Sequence, residues 1–220
     1  MFDDISPRYD FLNHFLSFGI DFYWRRQLVS ALPDQMEFPI LDVATGTGDV
    51  GILVQKLYPK STVVGLDYSY QMAHHCRLKA ANCPAFYVVQ GDGEMLPFAD
   101  NSFSALTISF GFRNIGHYEK ALSEFCRVLI PGGRLLILEF AQPKSRLFAP
   151  VFRWYFHSVL PRLGALFSRA DAYRYLPESV EEFPSREELT GLLHRTGFQN
   201  ISISDLTGGT VTLIKAASDK

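Results

Sequence analysis

Four carboxylates and one glycine loop carry most of the chemistry open to this chain. Thr45, Gly46, Thr47, Gly48 and Asp49 follow an apolar stretch, Ile40 to Ala44, and lead into a helical pattern. Glycines at such a junction let the backbone pass close under a bound ligand. Asp67 ends the next apolar stretch, ~20 residues beyond Gly46, where a carboxylate can take the hydroxyl pair of a ribose. Asp42 precedes the loop and Asp92 follows the third apolar stretch. If these stretches are parallel strands, all four acids reach the same sheet edge and can line one crevice.

Gly46, Gly48 and Gly51 also spell the GxGxxG pattern of dinucleotide sites, so loop and ribose acid alone point to a nucleoside cofactor of either kind. Charge separates the two. A dinucleotide sets its pyrophosphate on the helix N-terminus, where a carboxylate at Asp49 competes for the same amides and repels it. A ring of acids suits a ligand with a sulfonium, an α-amino group and an adenosine but no phosphate, a description that S-adenosylmethionine fits. Each acid also has a plainer role: Asp49 as a helix cap, Asp42 as a buried acid holding the loop, Asp67 as a solvated turn residue, Asp92 as part of a Gly-Asp-Gly turn.

The elements that must position these residues follow from periodicity. Ser6 and Pro7 mark a helix start, with Tyr9, Leu12 and Leu16 at helical spacing. A second helix is expected from Asp21 to about Leu32, stopped by Pro33. From Pro39 onward, short apolar runs alternate with helical patterns, the signature of βα units around a mostly parallel sheet. The expected strands are Ile40 to Ala44, Thr62 to Leu66, Ala85 to Gln90, Ala105 to Ser109 and Leu135 to Phe140. Val50, Leu53, Val54 and Leu57 form the apolar face of the helix after the first strand; Leu122, Phe125 and Leu129 serve the helix before Pro131. Ser185 and Glu188 make a capping box for a helix ended by Gly197. Phe198 to Leu206 and Thr210 to Ala217 read as an antiparallel pair closing the sheet. The expected organisation is one domain: a helical lid over residues 1–33, a cofactor core over 40–140, an aromatic and basic insert over 141–184, and a C-terminal helix and hairpin over 185–220.

The composition excludes several classes. The chain has 220 residues, 47% hydrophobic and 20% charged, within the globular range. With 21 basic and 23 acidic residues its net charge is −2, too little positive field for a nucleic-acid backbone. Cys76, Cys83 and Cys126 are odd in number and lack CxxC spacing, and no secretory signal opens the chain, so a reducing cytoplasm is the expected compartment. No run reaches the ~18 apolar residues of a membrane span, which leaves peripheral contact. His74, His75 and Cys76 tempt a metal reading, but neighbouring helical residues point ~100° apart and no further ligand is spaced for them. No metal is expected.

The chain also resembles a known family, the menaquinone and ubiquinone biosynthesis C-methyltransferases, over nearly its whole length. The carriers are FDDISPRYDFLN (Phe2 to Asn13), FGIDFYWR (Phe18 to Arg25), ILDVATGTGDV (Ile40 to Val50), GDGEMLPFADNSF (Gly91 to Phe103), TISFGFRNI (Thr107 to Ile115), RVLIPGGRLLILEF (Arg127 to Phe140), YRYLPES (Tyr173 to Ser179) and LTGG (Leu206 to Gly209). The resemblance implies the Rossmann-like class I methyltransferase fold: a mostly parallel seven-stranded sheet, an antiparallel C-terminal strand and helices on both faces. It implies S-adenosyl-L-methionine as cofactor, with Asp67 on the ribose, Asp92 and Gly93 at the adenine, and Thr47 and Ser109 lining the methionine side beside Gly46. Three departures stand out. Relatives usually carry residues ahead of the segment that here begins at Met1, so a short lid is expected to be incomplete; Gly93 and Phe112 replace a commoner alanine and leucine; and the ending TVTLIKAASDK is less basic than usual.

The implied reaction is methylation of a ring carbon of a polyprenylated quinol, either demethylmenaquinol or a methoxy-benzoquinol. A ring carbon is nucleophilic only when electron-rich, so the reduced ring is the expected acceptor. Much of the barrier can fall through close positioning, worth up to roughly 7–11 kcal/mol. Arg113 and Asn114, just past the fourth strand, are the expected partners of the quinol oxygens, against a plain structural reading of both. His117, Tyr9, Tyr175 and a water held by Arg113 compete as general base. The insert sets Phe148, Phe152, Trp154, Tyr155 and Phe156 among Arg146, Arg153, Arg162 and Arg169, a composition suited to a lid and to an anionic lipid surface, or to an ordinary helical core. A homodimer is a further expectation. The competing functions are an NAD(P)-dependent oxidoreductase using the literal GxGxxG, another small-molecule methyltransferase, and a non-catalytic module retaining the cleft.

Overall fold

The structure is a computed structural model that describes residues 14, 16–143, 148–155, 158 and 179–220. In chain order the elements are α1 (Ile20–Val29), β1 (Ile40–Val43), α2 (Asp49–Leu57), β2 (Val63–Asp67), α3 (Tyr70–Lys79), β3 (Phe86–Gln90), β4 (Phe103–Ser109), a 3-10 turn (Phe112–Asn114), α4 (Tyr118–Val128), β5 (Leu129–Phe140), α5 (Phe148–Trp154), α6 (Arg186–Arg195), β6 (Phe198–Leu206) and β7 (Val211–Ser218). The seven strands form one sheet in the order β3-β2-β1-β4-β5-β7-β6. β1 to β5 pair in parallel, whereas β7 runs antiparallel to both β5 and β6. The strand order reverses between β1 and β4, and in open sheets a crevice opens for ligands beyond the strand C-termini at that point.

The central strands are buried along almost their whole length because helices cover both faces. One core cluster joins Leu106, Ile108, Leu122, Phe125, Leu193 and Phe198; the other joins Leu28, Ile40, Val54, Ala105 and Leu138. The divergent C-terminal ending supplies β7, an interior strand whose residues Val211 to Leu213 are buried.

Several expectations shift. α1 ends at Val29, three residues before Leu32, and Ala31 and Leu32 close a turn onto Leu28 and Val29. β5 begins at Leu129 rather than Leu135 and absorbs Pro131 to Gly133 at a register irregularity against β4, which accommodates a proline without a ladder hydrogen bond. On α2, Leu57 is 43% exposed, and the buried residues are Val50, Gly51, Val54 and Gln55. The helix is rolled toward Gly51 because the Phe86 ring lies where a β-carbon would be, 2.4 Å from its ideal position. The capping box holds as expected: Ser185 Oγ accepts from the Glu188 amide, and the Glu188 carboxylate accepts from the Ser185 amide. The helix expected from Ser6, together with Tyr9, Tyr175 and most of the insert, lies outside the described residues.

Candidate active site

The loop between β1 and α2 turns through left-handed backbone at Ala44, Gly46 and Gly48. Gly48 is doubly constrained: its φ is +90°, and a β-carbon there would stand 2.6 Å from Cys76 Sγ. The Cys76 thiol itself is buried, which pushes its pKa up to about 12 and leaves it a neutral packing group. The loop stays in register with the sheet because the Thr45 amide donates to the Leu66 carbonyl.

The acids divide into two pairs. Asp42, 2% exposed, sits under the loop, where Thr45 Oγ1 donates to Oδ2 at 2.6 Å and Thr107 Oγ1 donates to Oδ1 at 2.7 Å. Burial raises its pKa to about 6 against those two hydrogen bonds, with the Asp67 charge adding to the rise. The plainer reading of Asp42, a structural acid holding the loop, is therefore the observed one. Asp49 in the first turn of α2 is paired by Lys79 and by Arg25, whose Nη2 lies 3.2 Å away. Arg25 also pairs with Asp21, which His14 and Ser17 contact at 2.6 Å. Burial of Asp21 opposes ionisation, yet Ser17, Arg25 and His14 hold its pKa below the usual carboxylate value. The expected ring of four acids thus narrows to Asp67 and Asp92.

Asp67 ends β2 at 9% exposure; its Oδ2 accepts from the Gly46 amide at 2.8 Å and its Oδ1 from the Ser69 amide at 2.9 Å. One carboxylate thereby ties the glycine loop to the start of α3. Asp92 makes an Asx-type turn, accepting from the Glu94 amide at 2.9 Å. Gly93 follows it, 3.3 Å from Val43 Cγ1 at its ideal β-carbon position, so alanine there would only tighten an existing contact. Thr47 is buried in the loop, with Lys79 Nζ 3.4 Å from its hydroxyl.

On the other side of the switch point, Ser109 ends β4 and its hydroxyl is buried with no hydrogen-bond partner among the described residues. Phe110 follows in left-handed backbone, and its ring lies 4.6 Å from that of Phe140 and 5.9 Å from that of Trp24. The Arg113 side chain is 8% exposed and bound to Glu139, with Nη1 2.7 Å from Oε1, and its guanidinium lies 5.5 Å over the Phe140 ring. Asn114 occupies the exposed side of the same 3-10 turn. His117 is 78% exposed and its Nδ1 lies 2.9 Å from Glu94; that contact is the leading cause holding the Glu94 carboxyl below its ordinary pKa. Phe112 is fully buried among Tyr118, Phe125 and Phe183, so its difference from leucine is a matter of packing. His74 stacks on Tyr70, and among the described residues no group of three or more His, Cys, Asp or Glu is placed to hold a metal.

Sequence reasoning missed Glu139. It is fully buried, and it accepts from the Arg113 amide, Arg113 Nη1 and the Phe140 amide. Its one signal was an acid in an otherwise apolar run, LLILEF, since a buried charge implies a partner.

A sheet of this order, with a glycine loop after β1 and a buried acid ending β2, is the class I S-adenosylmethionine-dependent methyltransferase fold. Solved structures agree at the level of fold. A methyltransferase from Thermotoga maritima described as a possible histamine N-methyltransferase is 20% identical, with TM-score 0.69, covering 100% of this chain and 98% of that one. A SAM-dependent methyltransferase from Aquifex aeolicus is 17% identical, with TM-score 0.65, covering 88% and 89%. Within the class, a model of the ubiE/COQ5 methyltransferase family matches residues 1–217. A ubiquinone/menaquinone biosynthesis C-methyltransferase UbiE from Syntrophotalea carbinolica is 48% identical over 97% of this chain and 90% of its own. A demethylmenaquinone methyltransferase from Thermus thermophilus is 48% identical over 90% and 91%. The chain belongs to the ubiE/COQ5 methyltransferase family.

Proposed function

We propose that this protein transfers a methyl group from S-adenosylmethionine to a ring carbon of a polyprenylated quinol in quinone biosynthesis. Family membership over residues 1–217 carries this reading. The residues present fit the cofactor. Asp67 is a ribose acid whose position is fixed by two backbone amides, and Ser109 offers a buried hydroxyl with hydrogen-bonding capacity to spare. Asp49 in the first turn of α2 is paired by Lys79 and Arg25, so the family match rather than local charge weighs against the dinucleotide alternative.

On this reading Asp67 binds the ribose hydroxyls, Asp92 and Gly93 border the adenine, and Thr47, Gly46 and Ser109 border the methionine side. When bound, S-adenosylmethionine supplies an electrophilic methyl group on a sulfonium. Arg113, with Asn114 beside it, holds a ring oxygen of the quinol and stabilises negative charge as its hydroxyl proton departs. Phe110 and Phe140 wall the acceptor side and exclude water, which strengthens that interaction. Tyr9, outside the described residues, is the candidate proton acceptor on this reading.

The isoprenoid tail implies peripheral contact with lipid, a reading supported by the exposed aromatics Phe18, Phe22, Tyr23 and Trp154. No helix among the described residues is long and apolar enough to cross a membrane. The test uses S-adenosylmethionine carrying a radiolabelled methyl group. Label should pass to a reduced demethylnaphthoquinol or demethylated benzoquinol and not to the matching quinone; equal transfer to both redox states would overturn the electron-rich-ring mechanism, and transfer to neither would overturn the assignment.

A further inference from the structure

Arg113 and Glu139 form a buried ion pair, at 8% and 0% side-chain exposure, across the ends of β4 and β5. Hydrogen bonds saturate one edge of the guanidinium and leave the other unmet. Glu139 Oε1 accepts from Arg113 Nη1 at 2.7 Å and from the Phe140 amide at 2.9 Å, while Oε2 accepts from the Arg113 amide at 3.2 Å. Arg113 Nη1 is also bound to the Phe110 carbonyl, and the guanidinium lies over the Phe140 ring. Arg113 Nε, by contrast, is buried with no hydrogen-bond partner among the described residues.

Stability alone does not account for this. Buried ion pairs are commonly matched or exceeded by apolar residues of equal volume, and a buried N–H without a partner is a net cost. Unmet hydrogen bonds of this kind call for a functional explanation.

We propose that Glu139 is a positioning residue for the methyl-acceptor reaction: by binding Arg113 Nη1 and its amide it fixes the guanidinium in one orientation, with its unbonded edge turned to a ring oxygen of the quinol. The inference rests on the quinol reading above and goes beyond it by assigning a role to a residue that touches neither substrate nor cofactor. Glu139 also cancels the net charge of Arg113. The pocket then admits a neutral quinol without a bare cation, yet presents a directed, charge-assisted donor where oxygen charge develops.

The test is a double-mutant cycle on the full chain, with kcat and KM measured for reduced demethylnaphthoquinol and cofactor affinity measured by titration with S-adenosylhomocysteine. Glu139→Gln preserves shape but removes the charge and turns a donor toward the Arg113 amide. We expect kcat to fall at least ~10-fold while cofactor Kd stays within about twofold, because the affected group acts on the transition state. Arg113→Met should cost at least as much, and adding Glu139→Gln to Arg113→Met should cost no more than a further ~2-fold.

The proposal is overturned if Glu139→Gln keeps kcat within about twofold of the unmodified protein. An equal loss with and without Arg113, or a loss arising through cofactor Kd, overturns it as well. Should Glu139→Gln fail to fold, Glu139→Asp decides: it keeps the charge but withdraws it from Arg113 by one methylene, so kcat within about twofold refutes the inference and a ~10-fold fall at unchanged cofactor Kd supports it. An unmodified protein that methylates no quinol sinks the functional reading instead, which separates the two failures.

Discussion

Replacing Asp42 with asparagine should change how stability depends on pH by an amount the structure specifies. In the fold, burial lifts the Asp42 pKa from 3.8 to about 6, while the hydroxyls of Thr45 and Thr107 limit the rise. In the unfolded chain the same carboxyl ionises near pH ~4. Between those values the folded protein binds more protons than the unfolded one, so this group lowers stability as pH rises through the interval. Each pH unit is worth ~1.4 kcal/mol, and the interval of about two units amounts to ~3 kcal/mol, lost in full above pH ~6. The side-chain amide of the Asp42→Asn variant cannot ionise; any hydrogen bond it forms less well with Thr45 or Thr107 adds a pH-independent offset of ~1 kcal/mol. The assay is urea unfolding of both proteins from about pH 4 to pH 7.5, read as the difference between them, so that titration of groups not coupled to Asp42 cancels. Relative to the variant, the unmodified protein should lose ~3 kcal/mol across the series, or roughly 6–12 °C in Tm for a chain of this size. Parallel stability curves would refute the argument.

Two further substitutions test the loop and its support. Asp67→Asn keeps the shape that receives the Gly46 amide but removes the charge, and a hydrogen bond to a charged acceptor is worth ~1.5–3 kcal/mol. Affinity for S-adenosylhomocysteine, measured by calorimetry, should therefore fall ~10–150-fold; unchanged affinity would remove Asp67 from the site. Gly51→Ala gains helix propensity of ~1 kcal/mol but drives a β-carbon to 2.4 Å from Phe86 Cζ, an overpacking worth ~1–3 kcal/mol. Net destabilisation in urea, relieved when Phe86 is also shortened to leucine, is the expected result; a stabilised single variant would mean that the ring moves aside at no cost.

The sheet was readable because each parallel strand is a short apolar run next to a helical pattern, and a run such as ILDV, buried at every position, leaves little ambiguity. The capping box at Ser185 was equally local. What could not be read were pairings across long sequence separation. Asp49 is met by Arg25 from α1 and Lys79 from α3, and neither spacing marks them as partners. The same distance problem hid Glu139, which a strand pattern absorbs as one odd residue until Arg113 is seen against it. Leu57 was misplaced for a different reason: a 3.6-residue period defines a face but not its rotation, which here follows from the missing side chain at Gly51. The four acids were expected at one edge, yet only hydrogen bonds separate Asp42, held under the loop by Thr45 and Thr107, from Asp67, which ties the Gly46 amide to the start of α3.

If the glycine loop and Asp67 receive an adenosyl sulfur compound rather than a dinucleotide, a paired titration distinguishes the two ligands. Calorimetry on the unmodified protein should show one site for S-adenosylhomocysteine with micromolar or tighter affinity, and no heat from NADH at the same concentrations. Saturable binding of NADH that S-adenosylhomocysteine fails to displace would contradict it.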